Sequence, residues 1–215
     1  MSSILTTRRQ FVQSTAALGL VLAAGALPAF AAETVPVADL MAPQALPDVW
    51  IGKADAPVTI IEYASMTCPH CAAFAAETFP ALKTKYIDTG KARYSLREFP
   101  LDPLATAGFM LGRCAGEDKR NAMLELLFAQ QKNWAYADKP FAGLMNVIKQ
   151  TGMTQDQFET CLKDKNLYDQ VNEVRDNASK KFAVNATPTF FINGQKTSGE
   201  MSIDEMSKII DPLVK

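Results

Sequence analysis

The junction between an apolar run and a cysteine pair constrains this chain more than any other stretch. Residues 58–64 read VTIIEYA and residues 66–71 read MTCPHC. The first is a β-branched apolar run of strand length. The second sets Cys68 and Cys71 two residues apart, with Pro69 suited to a first helical turn, where a missing N–H costs little. A strand feeding a helix through such a step predicts an α/β architecture with two thiols at a helix N-terminus. His70, between them, is the only histidine among the 215 residues.

The pair has three readings. A structural disulfide across two residues closes so small a loop that it hardly constrains the unfolded chain. A zinc site needs about four ligands, but His70 has no second histidine to join it, and Cys114 and Cys161 fall in distant helical segments. A redox pair has the context it needs, strand then C-x-x-C then helix. The thiolate is the nucleophile in disulfide exchange, and a helix N-terminus offers the positive end of the dipole and unpaired N–H groups. Cys68 is therefore expected to attack or be attacked. Cys71, one turn inside, is expected to resolve the mixed disulfide. His70, protonated or donating a hydrogen bond, is expected to stabilise the thiolate, and a lower thiol pKa makes the disulfide more oxidising.

The flanking sequence extends the pattern. The helix is expected to run from Cys68 towards Asp88, with Ala75, Phe79, Leu82 and Tyr86 on one face and a kink at Pro80. A second strand is expected over 91–99. From Leu104 to about Lys181 helical spacing dominates, with Thr154 and Gln157 placed as a capping box and a longer helix over 167–182. Strand character returns at TPTFFING (187–194), where Asn193-Gly194 signals a hairpin turn, and an amphipathic helix spans 202–213. The order predicts one α/β domain interrupted by a helical insertion.

The N-terminus reads as a targeting segment. Arg8 and Arg9 precede an apolar stretch from Ala16 to Leu27, and PAFA offers small residues at Ala29 and Ala31 for cleavage. Gly19, Gly25 and Pro28 break the stretch, which disfavours a permanent membrane helix. Paired arginines followed by Phe11 resemble a twin-arginine signal; a general secretory signal fits as well. Residues 32–49 carry three prolines and read as a leader segment. Without Arg8 and Arg9 the basic residues fall from 22 to 20 against 23 acidic, a net charge near −3 that gives no reason to expect nucleic acid. Export implies an oxidising compartment, expected to be the periplasm after cleavage near Ala31. About 184 residues can bury a core without disulfides, which tilts Cys68 and Cys71 towards chemistry.

IIEYASMTCPHC, followed much later by TPTFF, resembles the DsbA-like thiol:disulfide oxidoreductases over roughly residues 50–215. That resemblance implies a thioredoxin fold over 50–101 and 185–215, interrupted by an all-helical domain over 102–184. It implies that Cys68 is the exposed nucleophile, Cys71 the buried resolving cysteine, and Pro69 and His70 tuners of the potential. Thr187-Pro188 matches the loop facing the active site, where the proline is cis and the preceding backbone pairs with substrate. Glu62 matches a buried acid that assists proton transfer at Cys71, although strand alternation also allows it to be a surface residue. The activity implied is insertion of disulfides into unfolded or folding exported proteins, with a DsbB-like, quinone-linked membrane partner and with no organic cofactor or metal.

One departure shifts the expectation. Thr187 replaces the Val that the best-known oxidants carry and resembles the related isomerases, so isomerase or reductase activity is the alternative. Against it, the isomerases carry a sizeable N-terminal dimerisation region, for which residues 32–49 are too short. A chaperone or peptide-binding module on the same scaffold is a more distant alternative. Cys114 and Cys161 are expected to form a structural disulfide between two insertion helices, closing a loop of 46 intervening residues and adding about 3–4 kcal/mol; two buried free thiols are the other reading. Met66, Phe99, Met110, Phe190 and Phe191 are candidates for an apolar substrate groove, or simply core.

Overall fold

A computed structural model describes residues 33–214; the expected signal segment over 1–31 lies outside the described residues. Five strands form one sheet in the order β1–β3–β2–β4–β5. They are β1 (Trp50–Ile51), β2 (Val58–Ala64), β3 (Ala92–Glu98), β4 (Thr189–Ile192) and β5 (Gln195–Ser198). β2 and β3 are parallel, from Val58 opposite Ala92 to Ala64 opposite Glu98. Parallel neighbours need a crossover, and helical residues 69–87 supply it. β4 runs antiparallel to β2, with Glu62 opposite Phe190. Helices and the leader cover both faces of the central strands, so all seven residues of β2 are buried.

In chain order the helices are α1 (Val37–Leu40), α2 (Pro69–Ala73), α3 (Phe79–Leu82), α4 (Pro103–Cys114), α5 (Glu117–Ala129), α6 (Gln131–Trp134), α7 (Pro140–Ile148), α8 (Gln155–Leu162), α9 (Lys165–Phe182) and α10 (Ile203–Ile210). Six of them, α4 to α9, lie between β3 and β4. This is the thioredoxin fold with a helical insertion. Between α2 and α3 the backbone takes π turns over Phe74–Thr78, and again over Lys83–Ile87 after α3. The expected kink at Pro80 is thus met by a wide turn just before the residue that lacks a donor. Phe79, Leu82 and Tyr86 are buried as the periodicity predicts, Ala75 is only half-buried, and Phe74 joins the core against Phe190 at 4.7 Å between ring centroids.

Helix starts follow local chemistry. Asp102 caps α4 by accepting from the Ala105 N–H at 2.8 Å, and Thr154 and Gln157 form the expected capping box on α8. α9 begins earlier than its apolar periodicity indicates, because Asp164 accepts from the Leu167 N–H at 3.0 Å. Buried Glu98, at the end of β3, pairs with Arg113 and Arg120 at 2.7 Å each and ties α4 and α5 to the sheet. The hairpin turn is at Asn193 and Gly194, both with positive φ.

The leader is more structured than its sequence indicates. Arg97, 2% exposed on β3, donates to both oxygens of Asp48 and to the Leu40 carbonyl, all at 2.7 Å, and to the Tyr63 hydroxyl at 2.8 Å. Further back, the Lys196 N–H donates to the Glu33 carbonyl and the Val35 N–H to the Gly194 carbonyl, both at 2.8 Å. A Cβ at position 194 would meet the Val35 oxygen at 2.1 Å, so this close approach requires glycine.

Candidate active site

Cys68 is the N-cap of α2, in extended backbone, with Pro69 in the first helical turn. β2 ends at Ala64, so only four residues separate the strand from the helix. Cys71 follows one turn later. Both are unbonded thiols. Cys71 is wholly buried, and Cys68 is 4% exposed. The expected exposed nucleophile is therefore recessed, within the lining of an open groove. Its thiol donates to the Thr187 carbonyl at 3.3 Å, and the Thr187–Pro188 peptide bond is cis. Residues 119 positions apart thus meet at the sulfur.

The two thiols are pushed in opposite directions. Cys68 is pulled down from 9.0 to about 5, above all by the hydrogen bond that the Cys71 thiol donates to it. Burial opposes this shift, while Thr187 and the backbone N–H groups of Cys71 and His70 add to it. The Thr187 hydroxyl is buried and has no other partner, so it is free to donate to a thiolate. Cys71 is pushed far up, first by burial, then by the hydrogen bond it gives Cys68, and then by the charge of Glu62. One thiol is poised ionised and the other held neutral.

Glu62, in the centre of β2, is 1% exposed. Burial raises its carboxyl from 4.5 to about 8, against the lowering effect of a hydrogen bond from the Tyr94 hydroxyl. Its second oxygen is buried without a partner. The surface alternative for Glu62 fails because both faces of β2 are covered. The imidazole of His70 turns away to Glu200, with Nδ1 at 3.1 Å from Oε2, and is well exposed. What His70 brings to the sulfur is its backbone N–H, not the expected ring.

A groove of about 550 Å³ opens at Cys68, lined by Thr67, Pro69, Leu101, Leu104, Tyr136 and Phe141 among others. Leu101, Tyr136 and Phe141 are each more than half exposed. Met66, Phe99, Met110, Phe190 and Phe191, the candidates for such a surface, are instead buried core. Neither this lining nor Tyr94 is marked in the sequence, because loop geometry and strand register place them there and no periodicity signals them. Among the described residues no cluster of His, Cys, Asp or Glu could hold a metal ion, and no helix is long and apolar enough to cross a membrane. Cys114 and Cys161 are joined in a disulfide between the ends of α4 and α8, with Cys114 exposed and Cys161 buried.

The thioredoxin family model matches residues 44–212. The alpha-DsbA1 structure of Wolbachia pipientis is 33% identical, with a TM-score of 0.75 over 82% of this chain and 94% of that one. BdbD from Bacillus subtilis shares the fold at 20% identity, with a TM-score of 0.66 over 78% of this chain and 92% of that one. A candidate protein-disulfide oxidoreductase of Rickettsia bellii is 33% identical over 170 residues, 78% of this chain and 65% of the relative, so the chain spans just under two thirds of that protein. With a family match over most of its length and a third of its aligned residues identical to those of a solved relative that it covers almost entirely, the chain belongs to the DsbA-like thiol:disulfide oxidoreductase family.

Proposed function

We propose that this protein is an exported protein-disulfide oxidoreductase that donates its Cys68–Cys71 disulfide to proteins folding outside the cytoplasm. The observation that carries the reading is the placing of the two thiols, Cys68 at the N-cap of α2 against the Thr187 carbonyl and Cys71 wholly buried one turn inside, which draws Cys68 down to about 5 and pushes Cys71 up. In the oxidised enzyme a substrate thiolate attacks the Cys68 sulfur. The Cys68–Cys71 bond breaks and its electron pair leaves on Cys71. Glu62, neutral below about pH 8, is the nearby acid that supplies a proton to the departing Cys71 thiolate. A second substrate thiolate then attacks the substrate sulfur of the mixed disulfide. Cys68 departs as a stabilised thiolate, the substrate gains its disulfide, and the enzyme is left as the dithiol. The thiolate stabilises the reduced enzyme, and that stabilisation drives transfer towards substrate.

The Thr187 carbonyl at the sulfur is suited to pair with an extended substrate backbone, and the apolar groove beside Cys68 is suited to an unfolded chain. Reoxidation falls to a quinone-linked, DsbB-like membrane partner. The deciding measurement is the reduction potential of Cys68–Cys71 against glutathione, with Cys114 and Cys161 intact. A value near −120 mV marks a disulfide donor. A value of about −180 mV or lower would sink the donor reading and assign isomerisation or reduction, with the Thr187 substitution the first suspect.

A further inference from the structure

Three consecutive carbonyl groups around the nucleophile are held by side chains of the helical insertion. Gln131, the first residue of α6, donates from Nε2 to the carbonyls of Met66 and Cys68, each at 2.9 Å. The Tyr136 hydroxyl donates to the carbonyl between them, that of Thr67, at 2.8 Å. On the same loop the Thr67 hydroxyl donates to Asp102 at 2.6 Å. Gln131 is 4% exposed, so its amide is committed to these oxygens rather than to water.

A buried amide with both carbonyls in reach has two consequences. It fixes the direction of the 66–68 loop, and with it the place of the Cys68 sulfur over the N–H groups of His70 and Cys71. It also sets partial positive charge against two carbonyl oxygens close to the nucleophile, that of Met66 and that of Cys68, the latter also accepting from the Ala72 N–H at 3.2 Å. Both favour ionised Cys68. We propose that Gln131, assisted by Tyr136, is a positioning residue for the nucleophile, through which the insertion sets the reactivity of a thiol on the thioredoxin core. This inference rests on Cys68 being the attacking thiol, and not on the direction in which the enzyme runs.

The test uses the full protein with Gln131→Met, close in shape but without donors, and with Tyr136→Phe. The Cys68 thiolate is titrated by its ultraviolet absorbance, and the Cys68–Cys71 pair is equilibrated with glutathione. For Gln131→Met the titration midpoint is expected to rise by about one unit. The exchange equilibrium should move roughly tenfold towards the enzyme disulfide, about 30 mV. Tyr136→Phe should shift both readings in the same direction by about twofold, as loss of one of the three bonds that Gln131 and Tyr136 give the loop carbonyls. Folded variants whose midpoint and equilibrium match the wild type, whatever their melting temperatures, would overturn the proposal and leave Gln131 a packing residue. Should Gln131→Met not fold, the exposed Tyr136→Phe decides alone, by a shift or by none. A wild-type potential that contradicts the donor reading leaves these differences between variant and wild type interpretable.

Discussion

The two cysteine pairs occupy opposite ends of helices. Cys68 caps the N-terminus of α2, where N–H groups and the positive end of the dipole meet the sulfur. Cys114 is the last residue of α4, and Cys161 lies one residue before the end of α8. There the negative end of each dipole disfavours a thiolate, so either sulfur is a poor leaving group. Exposure points the other way: Cys114 is open to solvent, whereas Cys68 is recessed. The contrast teaches that the local field, rather than access alone, separates a bond built to exchange from one built to last. A bond between Cys68 and Cys71 would close two residues and hardly constrain the chain; the second bridge spans a separation of 47 and restrains the segment from α5 to α8.

The largest effect should come from Cys68→Ser, which should cut disulfide transfer to a reduced peptide on the order of 10³-fold or more. Cys114→Ser should leave the transfer rate in place, and a matching loss there would break the contrast by making the second pair a relay. Next, Cys114→Ser/Cys161→Ser should lower unfolding stability by about 3–4 kcal/mol, read from the denaturant midpoint. In the wild type that bridge should survive glutathione mixtures that fully reduce Cys68–Cys71; reduction of both together would refute the helix-end argument. Glu62→Gln sharpens the electrostatic side. Between pH 4.5 and about 8 the unfolded chain gives up the Glu62 proton and the folded protein keeps it, so wild-type stability should fall across that window and level off above it. Glu62→Gln should remove that slope, gaining roughly a few kcal/mol at the upper end. The oxidised protein, in which Cys68 does not titrate, isolates the effect in denaturant curves at the two pH values. The smallest effect belongs to Glu200→Ala. Its partner His70 is 67% exposed, so stability should change by less than about 1 kcal/mol, and less again in salt.

The reactive end of the molecule was legible because its signals are local. VTIIEYA, the C-x-x-C step and Pro69 determine a strand, a turn and a helix start within fourteen residues of sequence, and Asn193-Gly194 marks its turn in two. What distance and register decide was not legible. Glu62 reads ambiguously because alternation is informative only when one face of a strand meets water, and β2 has none. Tyr94 reaches Glu62 only through the β2–β3 register. Arg97 carries no local signal of burial; Asp48 and the Leu40 carbonyl, both in the leader, close over it. Phe190 and Phe191 read as groove or core, and their place opposite Glu62 and Ile61 in the ladder makes them core. Thr187 was placed by family resemblance, since nothing in TPTFF by itself says that its carbonyl will meet a sulfur 119 residues away.

The sheet margins bear on the work proposed for this protein. A partner of unfolded chains meets many segments seeking a strand to pair with, and an open edge would invite them to aggregate. One margin here, β1, is only two residues long. The other, β5, is held at its start by the leader: the Glu33 carbonyl accepts from the Lys196 N–H, and the Val35 N–H donates to the Gly194 carbonyl in the turn before it. The leader therefore closes the start of that margin, and on the proposed function a visiting chain would meet the groove at Cys68 with little open strand beside it.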